Sequence, residues 1–430
     1  MKTTKTLSIL LFSILLLSCN SNSDKIISQK DYNKYIEIKD NKSRDFAQSE
    51  IDFWQKKYNK TPDQTSFLIQ MASNYSKLFE NTGDIKYLYK VEELLLKVNT
   101  EFHYAYVGNI RSLARNYISQ HRFKEALVLA NKALAIGEGM KETQKLLFDI
   151  NMELGKYIEA EKNLRFITEK NDFDYFIRVS KWNDHLGDIN TAITFMEKAK
   201  DLAVSNDNKS LKIWTYSNLG DLNGHAGNIQ TSYEYYLKTL EVEPNNYYAL
   251  KGIAWIAFSH EKNTIEATRI INAISKTHHT PDFYLLKAQI ADYENNQEVK
   301  DKNMDAYFSM LKTINYGVMY NKYNTLIYAD DKTTASKALE IAKTEVENRP
   351  TPDSYDLLAW SYYKMGETKK ALEIAQKYVV GKSFEPTLNY HLAAIYKANN
   401  KNDKIAPIKE ELLKSTFELG PNFEILIANL

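Results

Sequence analysis

Cysteine is almost absent. Cys19 is the one cysteine in 430 residues, so no disulfide joins two parts of this chain and no thiolate cluster holds a metal. Glycine (14) and proline (8) are also scarce, which excludes loop-rich and collagen-like chains and favours packed helices. Neither charge dominates: 56 Lys and Arg face 55 Asp and Glu, a net charge of +1. There is therefore no global pull toward nucleic acid, and none is expected as a partner. No stretch beyond Leu17 approaches the ~18 continuous apolar residues of a membrane-spanning helix. Catalytic signatures are missing as well. No Gly-x-Ser-x-Gly, His-Glu-x-x-His or calcium-loop pattern occurs. Gly381-Lys382-Ser383 ends like a phosphate-binding loop, but no glycine stands where that loop would begin. His278-His279 has no second ligand pair at metal spacing and reads as a solvated turn. The chain is expected to carry no catalytic residue, no metal and no cofactor, and not to be an enzyme.

What is present begins at the N-terminus. Lys2 and Lys5 precede an apolar run from Leu7 to Leu17, too short to cross a bilayer but suited to a secretory leader. Leu16-Leu17-Ser18-Cys19 follows and resembles the lipobox of bacterial lipoproteins. The resemblance implies a signal peptide over 1–18, lipidation of Cys19 as the mature N-terminus, and export to the cell envelope. Asn20 rather than Asp follows the cysteine, so outer-membrane placement is expected. Residues 19–45 are polar and read as a flexible tether. Residues 46–430 are the folded body.

A pattern recurs about every 34 residues in that body. Its clearest copies are Leu113-Ala114-x-x-Tyr117 with Ala126 and Ala133, and Leu219-Gly220 with Gly227, Tyr236 and Pro244. Others are Leu358-Ala359-x-x-Tyr362 with Gly366 and Ala371, and Leu392-Ala393-x-x-Tyr396. Leu, Ala and Tyr at such spacing share one face of a helix, and the later small residues face a second. Gly155, Gly187, Gly227 and Gly366 mark the break between the two, suited to a left-handed helix C-cap. These residues resemble the tetratricopeptide repeat, with starts near Val107, Lys141, Phe173, Ile213, Tyr247, Pro281, Met319, Pro352 and Pro386. The resemblance implies an all-α fold, a right-handed α-solenoid of antiparallel helix pairs with about 9–10 repeats. Longer intervals point to loop extensions around Ser205–Asn208 and Asn295–Asn303. Met71-Ala72-x-x-Tyr75 reads as a further, stretched copy, Trp54 as part of a capping helix, and Phe423–Leu430 as a tail covering the far end.

Function then resides on a surface. In the family that this chain resembles, defined positions of each first helix face a concave groove where peptides bind. Carried over, they give Arg111, Arg115, Lys145 and Lys181, then Trp214, Tyr248, Lys251, Trp255, Trp360 and Tyr390. The expected groove is basic in its first half and aromatic in its second, able to hold carboxylates and to offer aromatic anchors. The expectation is a lipid-anchored, exported scaffold or adaptor that binds a protein or peptide without chemistry. The alternative is a surface lipoprotein that presents glycan or peptide nutrients to an outer-membrane transporter.

Overall fold

The computed structural model describes residues 25–38 and 40–430. The expected signal peptide and Cys19 lie outside the described residues. Among these there is no strand and no helix long and apolar enough to cross a membrane. A short helix α1 (Gln29–Ile36) and a long α2 (Lys42–Lys60) lead into a run of antiparallel pairs. These are α3 (Ser66–Thr82) with α4 (Lys86–Glu101), α5 (Val107–Ser119) with α6 (Phe123–Ile136), and α7 (Met140–Glu153) with α8 (Tyr157–Phe166). Next come α9 (Phe173–His185) with α10 (Ile189–Ser205), α11 (Lys209–His225) with α12 (Ile229–Val242), and α13 (Tyr247–Trp255) with α14 (Thr264–Ile274). The last are α15 (Asp282–Tyr293) with α16 (Gln297–Thr313), α17 (Asn321–Asp330) with α18 (Ala335–Asn348), α19 (Pro352–Lys364) with α20 (Thr368–Tyr378), and α21 (Pro386–Ala398) with α22 (Ile405–Lys414). Two short helices, α23 (Thr416–Leu419) and α24 (Asn422–Ala428), close the chain. The fold is an all-α solenoid of helix pairs.

The expected repeat starts fall at or beside the first residues of α5, α7, α9, α13, α15, α17, α19 and α21. Ile213 lies one turn inside α11, because Asn208 caps that helix by accepting from the Leu211 amide at 3.1 Å. Of the two expected loop extensions, Ser205–Asn208 spans the last residue of α10 and a short turn before α11, whereas Asn295–Asn303 is largely helix. Asn296 accepts from the Val299 amide at 3.2 Å and starts α16 at Gln297, so the added residues lengthen a helix that buries Tyr307 where other copies bury alanine. Within each pair the small residues set the approach distance. Gly220 and Gly252 flank the Tyr236 ring, whose atoms lie 2.5 and 2.4 Å from where a methyl would stand on either glycine.

First helices of successive pairs touch one another (α5 with α7, α7 with α9, α11 with α13, α17 with α19), so they form the inner, concave wall. The curvature is tight enough for the array to meet itself. Glu153 and Arg349, 196 residues apart, pair at 3.3 Å, and the His279 amide donates to the Thr82 carbonyl at 2.7 Å. Such a separation at about 34 residues per repeat gives roughly six repeats per winding. The seam runs over the turn glycines. A methyl on Gly155 would stand 2.9 Å from the Pro350 carbonyl oxygen, and one on Gly187 2.7 Å from the Phe384 ring. His278, expected in a solvated turn, is instead 1 % exposed: it stacks on Tyr247 and packs over Gly83 in this seam. Burial pulls its pKa down to about 3, so the ring is neutral there.

Residues 25–38 and 40–45, expected as part of a flexible tether, are docked on the second winding. The Tyr32 hydroxyl donates to Glu266 at 2.6 Å and its ring is fully buried, while the Ile26 and Ile27 amides both donate to Glu261. Their polar composition hid a helical face of Tyr32, Tyr35 and Ile36 packed against the core around α12–α14. At the far end, Ile427 is buried against Leu412 and Leu419, and Asn422 donates to the Gln289 carbonyl at 3.1 Å. The tail therefore covers its own end and also reaches across to α15.

The turn glycines supply an internally controlled prediction. Gly155 and Gly366 share the left-handed conformation (φ +68° and +86°), but only Gly155 has the next winding against it. Gly366→Ala should cost about 1–2 kcal/mol for backbone strain alone. Gly155→Ala should cost about 1–3 kcal/mol more, because the Pro350 backbone must move. Denaturant titrations of the two variants check this, and equal costs would remove the seam from the account.

Candidate functional site

The Leu, Ala and Tyr positions of each first helix pack on its partner, so the opposite face looks into the concavity. Between α5, α7, α9 and α11 this face encloses a cavity of about 500 Å³. Arg115, Arg178, Lys181, Asp149, Asn218 and Trp214 give its polar rim, over a floor of Ile118, Leu146, Ile177, Met196 and Leu222. Three of the expected groove residues, Arg115, Lys181 and Trp214, thus come together. Trp214 is 40 % exposed and rests its edge on Phe173.

Most cations of this wall are already engaged. Lys145 is buried and pairs with Asp174 at 2.7 Å and Glu142 at 3.0 Å, which outweigh burial and hold its pKa up. Lys181 pairs with Glu153 at 3.0 Å, and Arg178 with Asp149 at 2.6 Å. Arg111 donates to the Glu138 and Gly139 carbonyls and to Thr143 Oγ1, so it braces the start of α7 instead of standing free in a groove. Arg115 differs from all of these. Among the described residues its guanidinium makes no hydrogen bond or ion pair. It is reached by solvent yet set deep in the concavity. Burial first, then the neighbouring Arg111 and Arg178, hold its pKa below the usual value, with Glu142 and Asp149 only partly offsetting them. A cation held there without a partner is a place for an anion.

Tyr248, Lys251 and Trp255 meet in a second cavity of about 430 Å³, continuous through Lys251, Trp255, Leu286 and Tyr323 with a hollow of about 370 Å³. Sequence reasoning missed its acidic side. Asp221 accepts from the Tyr236 and Tyr248 hydroxyls, each at 2.7 Å, and Glu418 enters from α23. The C-terminal segment is one wall of this space. Helix α13 passes into a π-helical turn, Ile256–His260, and both the Trp255 Nε1 (3.1 Å) and the Ser259 hydroxyl (2.5 Å) donate to the Phe417 carbonyl. Phe417 stands next to Gly224, where a methyl would meet its ring at 2.9 Å. No local pattern marks Phe417 and Glu418 as groove residues, since 162 residues separate Trp255 from Phe417.

Of the other two residues expected on the groove, Trp360 is placed inside the wall and Tyr390 is half-buried. Trp360 is 6 % exposed and stacks on His391 at 3.9 Å, and Tyr390 sets its edge on Phe423 at 5.2 Å. Their aromatic area faces a buried pair in which His391 Nδ1 lies 2.7 Å from Asp356 Oδ2. Burial pushes the Asp356 pKa up, with His391 partly offsetting it. Among the described residues no group of three or more His, Cys, Asp or Glu side chains is set to hold a metal ion.

Asp221 gives a pH-dependent prediction. Burial pushes its pKa up, and the Tyr248 and Tyr236 hydrogen bonds partly offset that. A carboxyl raised above its unfolded value stabilises the fold below that value and loses the contribution as pH rises through its folded one. Tyr236→Phe removes a donor needed only by the charged form. It should cost about 1.5–3 kcal/mol at pH 7, and much less below about pH 4, where the carboxyl is protonated. Unfolding midpoints at the two pH values check this; equal costs at both would exclude the role of Asp221.

Comparison with known proteins adds no identity. No protein-family model and no curated protein matches the chain. Among solved structures it is similar to PilF of Pseudomonas aeruginosa, at 13 % identity over 51 % of this chain and 96 % of that one, with a TM-score of 0.36. It is similar to a monomeric mutant of IFIT1 with Gppp-AAAA, at 13 % identity over 77 % and 76 %, TM-score 0.46. Yeast Tom70 matches at 13 % identity over 87 % and 93 %, TM-score 0.35. These are likenesses of helical architecture, and the helix pairs described above establish that architecture without them.

Proposed function

We propose that this chain is a non-catalytic scaffold or adaptor of the cell envelope. It is anchored through lipidated Cys19, at the outer membrane, and holds an extended protein or peptide segment against its concave wall. The observation that carries the binding reading is Arg115. Every other cation of that cavity has a carboxylate or a carbonyl, whereas Arg115 has neither and borders an apolar floor. The segment it fits presents a carboxylate to Arg115 and an apolar side chain to Trp214, Ile118 and Leu146. The anchoring reading is supported by the leader and by Cys19 as the sole cysteine.

Each half has its own test. Chain purified from detergent-solubilised membranes, with a photo-crosslinking amino acid at Asn218, should capture a stoichiometric protein. Arg115→Glu should weaken that capture on the order of tenfold to a hundredfold, and Trp214→Ala by at least a few-fold. Lys251→Glu in the second cavity should leave it unchanged. Capture indifferent to Arg115 and Trp214 would sink this reading. Binding of saccharides alone, dependent on Trp214, would replace it with nutrient presentation. For the anchor, Cys19→Ser should abolish acyl labelling and release the protein from membranes washed in high salt. A variant still acylated, or still in the membrane fraction after a high-salt wash, would overturn that half alone.

A further inference from the structure

Helix α2, which leads into the array, carries a face that no part of the described chain covers. On α2, Lys42, Phe46, Ser49, Phe53, Lys57 and Lys60 recur at the three- and four-residue spacing of one helical face. All six are exposed, Phe46 at 59 % and Phe53 at 47 %. The opposite face, with Ala47 and Ile51 buried, packs on α3. Single exposed apolar residues are ordinary. Two phenylalanines in line, bracketed by lysines at both ends, are not.

Charge on this helix is uneven in kind as well as number. Its acidic residues are occupied: Asp45 pairs with Arg44, Asp52 accepts from Gln48, and Glu50 accepts from Trp54 Nε1. Lys42, Lys56, Lys57 and Lys60 have no carboxylate partner among the described residues; Lys57 lies instead over the Phe53 ring at 5.5 Å. Unpaired lysines are depleted in protein–protein interfaces. They suit a helix lying on a lipid surface, where aromatic rings enter the headgroup boundary and lysine stems let the ammonium reach anionic phosphate.

We infer that the exposed face of α2 is a docking surface for an anionic lipid bilayer. The inference rests on the anchoring reading insofar as lipidated Cys19 would bring a membrane to this end of the chain. Phe46 and Phe53 enter the interface and the lysines bind headgroup phosphates, so the solenoid is held by this end helix as well as by its lipid.

The test uses the chain from Asn20 onward, which keeps every described residue and lacks both leader and acyl site, so it does not depend on the anchor. Co-sedimentation is measured with vesicles of mixed phosphatidylglycerol and phosphatidylcholine, and with phosphatidylcholine alone. The chain should prefer the anionic vesicles, with binding that falls as salt rises. Phe46→Ser with Phe53→Ser should weaken binding on the order of tenfold. Lys42→Glu with Lys57→Glu and Lys60→Glu should abolish the anionic preference. Circular dichroism should show both variants folded, since every changed side chain is exposed. Absence of binding, binding indifferent to both variants, or a self-association lost in the phenylalanine variant would overturn the inference. The last would assign the face to a second copy of the chain.

Discussion

The close approach of one winding to the next is the constraint on which the rest depends. Backbone of residues 350–351 and the Phe384 ring fit against Gly155 and Gly187 only because these residues have no Cβ. The same glycines end their helices in the left-handed conformation, so one residue type meets two demands at one place. Were the windings held apart, Glu153 would lose Arg349 and the second cavity would lose the wall formed by Phe417. The concave space is therefore a product of the seam as much as of the repeat.

That division explains what could be read from the chain. The pairs were legible because each is built from contacts within about 34 residues, through small residues such as Ala126 and Gly220 at fixed spacing. Helix starts followed to within a turn. What escaped was everything made between windings. The docking of Tyr32 on Glu266 spans 234 residues and leaves no periodic mark. His278 looked like a surface residue because its cover, Gly83 and Tyr247, comes from elsewhere. Groove positions taken from the repeat fall on the lining of the first cavity at Arg115 and Trp214. They misplaced side chains where a neighbouring helix closes over them, as at Trp360 beside His391.

Charge shows the same pattern. A count along α5 to α9 gives a basic wall, but folding sets Asp149, Glu153 and Asp174 opposite most of those cations. The field that remains is concentrated at Arg115. A neutral composition can thus leave one cation of this wall without a partner, because folding rather than the total decides which charges pair. In the second half the rings expected as anchors divide between two tasks. Trp255 holds the C-terminal segment in the concavity, and Trp360 completes the core.

One carboxylate joins the seam to the groove. Glu153 accepts from Lys181, on the rim of the first cavity, and from Arg349, on the next winding. Burial alone would raise its pKa, but Lys181, Arg349 and the nearby His121 outweigh that and keep it charged. The anion proposed to enter beside Arg115 would compete with Glu153 for Lys181. Glu153 would then be left with Arg349 as its main partner, and the pair across the seam would carry more of its charge. Both interactions act at one partly exposed carboxylate, so under the proposed binding, filling the cavity and holding the windings together would not be energetically independent. Such a coupling would be local and would need no movement of the array. Lys181 is exposed enough to turn away, and Arg349 is held by Glu345 as well.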